Sequence, residues 1–260
     1  MGWIKVVDAR DPLWKAIEIM AENRIRHVPV VSANKLIGML SVKDVLQVLE
    51  ALNANELLKQ EVSKFMSGRV IAASPEEPLW RALSIMAEAD VGALPIVNDE
   101  DEVIGIFTER DVVRDVAPEL SWEGEVERLA NERPRTVEPT ATILDAVSIM
   151  NELKIRHLPI TERKTLKGLV SALSIMSFLK NNLKDVLKST EILSEPVTRA
   201  QDALTYVPEN TPLSEAINAL GRSATDALLV VGEDMELKGI MTDRDVLRET
   251  ARILEKLERP

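Results

Sequence analysis

The chain has no cysteine. That excludes disulfides, thiolate nucleophiles and cysteine-based metal sites. Aromatic residues make up only 3% of it, too few for a surface that stacks nucleic-acid bases on rings. Excess positive charge is missing as well. Its 32 Lys and Arg face 43 Asp and Glu, a net charge of −11, which disfavours nonspecific contact with nucleic acid or anionic membrane. No apolar run approaches the roughly 20 residues that span a bilayer, and no apolar h-region follows Trp3-Ile4-Lys5. The only two histidines, His27 and His157, are 130 residues apart, without metal-site spacing. There is no Walker loop, no dinucleotide-binding glycine loop and no Ser-His pair on a nucleophile elbow. These absences predict a cytoplasmic protein that is not an enzyme, holds no metal or catalytic cofactor, and binds neither nucleic acid nor membrane.

What is present is repetition. The 260 residues, 45% hydrophobic, suffice for two domains of ordinary size. Four segments share one helical pattern: Pro12-Leu13-Trp14-Lys15-Ala16-Ile17 to Met20, Pro78-Leu79-Trp80-Arg81-Ala82-Leu83 to Met86, Thr142-Ile143-Leu144-Asp145-Ala146-Val147 to Met150, and Pro212-Leu213-Ser214-Glu215-Ala216-Ile217 to Leu220. Their apolar residues recur at i, i+3, i+4 and i+7, one face of a helix, and Pro or Thr suits a helix start. The shared alanine recurs at spacings of 66, 64 and 70.

Each helix is followed by a short apolar run that reads as a buried strand: His27-Val28-Pro29-Val30-Val31, Ala93-Leu94-Pro95-Ile96-Val97, His157-Leu158-Pro159-Ile160 and Ala227-Leu228-Leu229-Val230-Val231. A polar turn and a second strand beginning near Gly38, Gly105, Gly168 or Gly239 come next. A helix then opens at Ser41, Thr108, Ser171 or Thr242. The unit is βαββα, and the fold class is α+β. A unit of about 65 residues is marginal alone, so the repeats should pair. The acidic stretch from Pro118 to Glu132 divides the chain into residues 1–118 (repeats 1 and 2) and 128–260 (repeats 3 and 4). Matching Arg-His-x-Pro strings at Arg26-His27 and Arg156-His157 support duplication of a pair.

The second helix of each unit opens on Ser/Thr-x-x-Asp: Ser41 to Asp44, Thr108 to Asp111, Thr242 to Asp245. One copy alone reads best as a capping box, with a hydroxyl at the N-cap and an acid at N3. Arg26 and Arg156 read as solvated or as anion contacts, and the two histidines read rather as partly buried neutral rings. Arg110 and Arg244 read as phosphate contacts or plain surface charge.

Four copies of h-x-Pro-h-h and Gly-h-h-[Ser/Thr]-x-x-Asp, three of them complete, resemble the CBS domain, named for cystathionine β-synthase. The resemblance implies two tandem pairs, called Bateman modules, with adenosyl ligands in clefts between repeats. Two modules in one chain are similar to the γ subunit of the AMP-activated protein kinase. It further implies that Asp44, Asp111 and Asp245 hold the ribose diol, where a carboxylate offers two acceptor oxygens. Ser41, Thr108 and Thr242 would hold ribose or phosphate at a helix N-terminus. Arg26, His27, Arg110, Arg156, His157 and Arg244 would clamp phosphates. Met66, Ile71, Val91, Gly92, Ala93 and Pro95 would match an adenine pocket, which is also how ordinary strand packing reads.

Two departures stand out. Ser174 replaces the acid in the third repeat, and the first repeat's counterpart of Glu61–Met66 would fall before Met1. At most three nucleotides per chain are therefore expected. The resulting expectation is a regulator that binds AMP, ADP or ATP between repeats and signals to a partner protein, with homodimer formation open. The alternatives are a sensor of S-adenosylmethionine, or an interaction module with empty clefts.

Overall fold

The structure is a computed structural model that describes residues 4–258. Trp3 and the outer ends of the two expected modules lie outside the described residues. The first repeat is built from β1 (Val7–Asp8), α1 (Leu13–Asn23), β2 (His27–Ser32), β3 (Lys35–Ser41) and α2 (Val42–Leu49). A short α3 (Ala54–Leu57) leads to the second repeat, α4 (Leu79–Glu88), β4 (Ala93–Val97), β5 (Val103–Thr108) and α5 (Glu109–Asp111). The third holds α6 (Ile143–Leu153), β6 (His157–Glu162), β7 (Thr165–Ser171) and α7 (Ala172–Asn181), followed by α8 (Leu183–Val186). The fourth holds β8 (Tyr206–Pro208), α9 (Leu213–Arg222), β9 (Ala227–Val231), β10 (Leu237–Thr242) and α10 (Asp243–Glu258).

The fold is α+β, four βαββα units with small sheets. β1 and β8 lie parallel to β2 and β9, each of which pairs antiparallel with the next strand. In repeats 2 and 3 the leading strand shrinks to a single parallel bridge, Ala73 to Ile96 and Val137 to Ile160. Pro12, Pro78 and Pro212 sit at the N-caps with extended backbone. Thr142 instead caps with its side chain, accepting from the Asp145 amide at 3.0 Å. After α5 the helix widens into a π-turn over Val112–Val116.

One feature of register positions the site. The first residue of each apolar strand pairs with the N-cap hydroxyl of the second helix: His27 with Ser41, Ala93 with Thr108, His157 with Ser171, Ala227 with Thr242. The first amide of that helix then donates to the carbonyl just before the strand. The pairs are Val42 to Arg26 at 2.9 Å, Glu109 to Gly92 at 3.1 Å, Ala172 to Arg156 at 2.9 Å and Asp243 to Asp226 at 3.2 Å. Side chains at these two positions are thereby brought beside one another in every repeat.

The repeats meet in two ways. Helices join repeat 1 to repeat 3, α1 on α7 and α2 on α6, around Leu13, Ile17, Met20, Met150, Ile175 and Leu179. They also join repeat 2 to repeat 4, where Leu83 and Met86 of α4 meet Leu247 and Ala251 of α10. Strand edges join repeats 1 and 2 (Met39 to Ser67, Lys35 to Glu102) and repeats 3 and 4 (Asn131 to Ile240, Val170 to Gln201). The segment leading into each neighbour also covers a helix start. The Leu13, Ile143 and Leu213 amides donate to Gln60, Glu195 and Gly124 carbonyls, and those three side chains are fully buried. Leu79, their counterpart in the second repeat, is 45% exposed.

Candidate functional site: two clefts around a buried charge cluster

The candidate acids sit at helix starts. In each of the boxes Ser41–Asp44, Thr108–Asp111 and Thr242–Asp245, one carboxylate oxygen, Oδ2, accepts both the N-cap amide (2.7–2.8 Å) and the N-cap hydroxyl (2.6–2.7 Å). The cap thus occupies one oxygen and leaves Oδ1 to accept from something else. Capping and ligand binding are compatible in one residue. An exposed box of the same geometry, Thr142–Asp145, starts α6 on the surface and acts as a cap alone.

Between the four repeats lies a buried cluster of charge. Glu109 is fully buried at its centre and takes Arg156 Nη2 at 3.0 Å, Arg244 Nε at 2.9 Å and Arg26 Nη2 at 3.2 Å. Asp243, also fully buried, faces Arg26 Nη2 at 3.2 Å and Arg110 Nη1 at 3.3 Å. Asp226 pairs closely with Arg26 Nη1. His157 Nε2 approaches Asp226 Oδ1 to 2.9 Å but without a hydrogen-bonding angle. Burial alone would raise the Glu109 carboxyl, but Arg156, Arg26 and Arg244 overrule it and hold the group well below the usual carboxylate range. Burial also opposes ionisation of Asp226, and Arg26 and His157 hold it low. Burial and the neighbouring Arg26 push His27 down to a pKa of about 3, so its ring is neutral at pH 7. Gly92 makes room for this: a Cβ there would lie 2.8 Å from His27 Cε1 and 3.1 Å from Glu109 Cδ.

Two clefts open on this cluster. One, of about 820 Å³, is lined by Thr108 and Asp111 with Gly105 and Ile106 of β5. Ile4, Lys5 and Arg24–His27 of the first repeat, together with Asp226 and Asp243, complete it. The other, of about 330 Å³, is lined by Thr242, Asp245, Arg244 and Ile240. Its remaining wall comes from Arg133–Arg135 and Leu153–His157 of the third repeat and Lys43 of the first. The two are built alike. In each, the hydroxyl–acid pair of an even repeat faces the leading segment and strand entry of the preceding odd repeat.

These clefts gather most of the expected residues: Arg26, His27, Thr108, Arg110 and Asp111 in one, Arg156, His157, Thr242, Arg244 and Asp245 in the other. Ser41, Asp44, Met66, Ile71, Val91, Gly92, Ala93 and Pro95 line neither. Ala93 pairs with Thr108 inside the β4–β5 ladder, the Pro95 carbonyl accepts from Ala73 at 2.9 Å, and Ile71 is 44% exposed. Half-burial raises the Asp44 carboxyl against its bonds from Ser41. The third repeat's helix start is closed by its own serines and by Asp202, from the segment leading into the fourth repeat. Ser174 Oγ donates to the Ser171 carbonyl at 2.9 Å, Ser171 Oγ donates to Asp202 at 2.5 Å, and Asp202 pairs with Arg24 at 2.9 Å.

The sequence reading missed Glu109, Asp226 and Asp243. A signal existed. Aligned across the repeats, the residue before the strand reads Arg26, Gly92, Arg156, Asp226, and the first residue of the second helix reads Val42, Glu109, Ala172, Asp243. Glu109 and Asp243 stand where sister repeats place Val or Ala, and Asp226 stands where two sister repeats place Arg, which marks all three as candidates for burial opposite the arginines.

The CBS domain family matches this chain four times, over residues 4–51, 62–118, 126–181 and 191–252. The chain belongs to the CBS domain family. MJ1225, an uncharacterized protein of Methanocaldococcus jannaschii, is 25% identical over 255 residues, 90% of either chain. A 33.4 kDa protein from the ribosomal RNA operon of Thermofilum pendens is 24% identical over 268 residues, 96% of this chain and 89% of that one. The crystal structure of MJ1225, a protein suggested there to be an archaeal homolog of g-AMPK, superposes with a TM-score of 0.83 at 24% identity, covering 95% of this chain and 96% of that one. A conserved protein of Pyrococcus horikoshii superposes at 0.58 with 19% identity, over 86% and 91%. These likenesses establish the four-repeat CBS fold. Among the described residues no helix is long and apolar enough to cross a membrane, and no group of three or more His, Asp or Glu is placed to hold a metal.

Proposed function

We propose that this CBS protein is a nucleotide-sensing regulator, without catalytic activity, that holds adenine nucleotides in the clefts of its second and fourth repeats and signals to a partner protein. The observation that carries the reading is the pair of acids, Asp111 and Asp245. Each has one oxygen committed to its cap and lines a cleft whose walls carry cations. A ribose diol can take the remaining oxygen while phosphates meet the helix start and the arginines. Residues 1–118 and 128–260 are proposed as the two modules, each supplying the hydroxyl–acid pair and leading segment of one cleft, whose lining the other module completes.

Signalling follows from the cluster. Arg156 and Arg244 line the fourth-repeat cleft while bonded to Glu109, and Arg244 is bonded to Asp90 as well. Glu109 belongs to the second repeat and Arg156 to the third, so the same ion pairs join the two modules. A phosphate that draws the arginines away from Glu109 shifts how the modules pack. This difference in affinity between two packings is what couples ligand to partner. The suggestion that MJ1225 is an archaeal homolog of g-AMPK supports this direction. The test is a thermal-shift panel of adenosine, AMP, ADP, ATP and S-adenosylmethionine. A ligand at 100 times its dissociation constant raises apparent stability by about 2.7 kcal/mol. No shift with any of the five contradicts the proposal.

The third repeat is proposed to stay closed. Ser174 is 5% exposed and lies beside Ser171, which is bonded to Asp202. Ser174→Asp should create no new site. It should instead destabilise the protein by about 1–3 kcal/mol, because an acid would be buried near another acid without a cation of its own. Urea denaturation of the variant checks the cost, and titration with AMP checks that stoichiometry is unchanged.

A further inference from the structure

Resting on the proposal above, we infer that the two clefts select ligands of different charge. The fourth-repeat cleft takes a nucleoside polyphosphate, and the second-repeat cleft takes an adenosyl ligand carrying little or no phosphate. The inference comes from which cations are free. Lys43, Arg133, Arg135, Lys154, Arg156 and Arg244 line the fourth-repeat cleft, and Asp245 is its only acid. Among the described residues Lys43, Arg133, Arg135 and Lys154 have no side-chain hydrogen bond or ion pair; only Arg156 and Arg244 are engaged, on Glu109 and Asp90. Lys43 is half-buried, and Arg133, Arg135 and Lys154 are exposed along the same lining, so positive charge crowds this cleft and suits a multivalent anion. Burial and the proximity of Arg156 and Arg244 both push the Lys43 ammonium below its ordinary value, a further mark of that crowding.

The second-repeat cleft is built the other way. Of its cations only Lys5 is without a hydrogen bond or ion pair among the described residues; its four arginines are engaged, three of them with carboxylates. Arg24 is paired with Asp202 at 2.9 Å, Arg26 with Asp226, and Arg110 with Asp243 and the Leu220 carbonyl at 3.0 Å, while Arg114 Nε donates to the Gly221 carbonyl at 3.2 Å. Three acids, Asp111, Asp226 and Asp243, line the same space. A polyphosphate entering it would meet carboxylates at its inner end and would have to break internal ion pairs. Lys154 closes α6 in the left-handed region, at φ 56°, where glycine is the unstrained choice; Arg24 closes α1 in the same way, at φ 50°, beside the other cleft, so this backbone feature does not distinguish the two.

The test is calorimetry on the full chain with adenosine, AMP and ATP, in Asp111→Ala, which leaves the fourth-repeat cleft, and in Asp245→Ala, which leaves the other. In Asp111→Ala, ATP should bind at least tenfold more tightly than adenosine, with a preference that shrinks as salt rises. Arg133→Gln/Arg135→Gln/Lys154→Gly, introduced into Asp111→Ala, should lose most of that preference while still binding adenosine. The glycine relieves strain, so folding is not expected to suffer. In Asp245→Ala, adenosine should bind at least as tightly as ATP. Equal preference in both variants, or ATP favoured in both, overturns the inference while leaving the proposed function standing. Failure of all three ligands to bind wild type overturns both.

Discussion

Glu109→Gln should destabilise the fold by about 3–5 kcal/mol, the range for removing one partner of a buried ion pair. The change keeps shape and removes only charge. It leaves Arg156, Arg26 and Arg244, each within 3.2 Å of the former carboxylate, facing a neutral amide. Arg156 and Arg26 are themselves buried, so water cannot replace the lost charge. The cost reflects stranded cations rather than the net worth of the cluster, since buried ion pairs often do no better than well-packed apolar groups. What the cluster supplies is registry: Arg26, Glu109, Arg156 and Asp226 come from four different repeats and satisfy one another only when all four are in place. Asp145→Asn is the control. That box is exposed, and its loss should cost about 0.5–2 kcal/mol, the worth of a cap. Urea denaturation of both variants measures the difference. A Glu109→Gln cost below that of Asp145→Asn contradicts the assignment.

The same groups fix the pH dependence. Glu109 and Asp226 are held low in the folded state, so their contribution is present above the unfolded carboxylate range and is lost as pH falls. His27 acts earlier. Its folded pKa of about 3 lies below the ordinary 6.5, so the unfolded chain binds the proton first and stability declines from about pH 6.5 downward. The expected profile is flat above pH 7, falls gently below about 6.5, and steepens once carboxylates titrate.

The architecture was legible because it is written four times. Periodicity at Ala16, Ala82, Ala146 and Ala216 places four helices, and all four alanines are buried in the helix layers. The Ser/Thr-x-x-Asp strings place the N-caps, and each complete box forms. The charged centre was legible only by half. Arg26 and Arg156 stand in conspicuous strings, but their partners Glu109, Asp226 and Asp243 come from sequence separations of 47 to 217 residues. Within a single repeat no pattern encodes a carboxylate whose burial depends on an arginine of another repeat; only comparison of the four repeats marks these positions. Which odd repeat completes each even repeat's cleft was also hidden, since it follows from edge contacts such as Asn131 to Ile240 rather than from any motif.

Asp111→Ala and Asp245→Ala should each weaken adenine-nucleotide binding at their own cleft by about 1.5–3 kcal/mol, roughly 10- to 150-fold. The lost group is a charged acceptor for the ribose hydroxyls. Each acid also caps a helix, so part of any effect could come through folding. Asp44→Ala separates the two roles. Asp44 makes the same cap, with Ser41 at 2.7 Å, but lines neither cleft. It should lose comparable stability and leave AMP affinity within about threefold of wild type. Calorimetric titration of all three variants, each first shown to unfold cooperatively, makes the comparison.

The most direct measurement of the central claim is a crystal structure of the full chain grown with AMP. The account predicts a ribose diol within hydrogen-bond distance of Asp111, Asp245 or both, with the phosphate toward the arginines of the same cleft and the third repeat's Ser171–Ser174 start closed on Asp202. AMP bound elsewhere, or seated with its ribose turned away from both carboxylates, contradicts it.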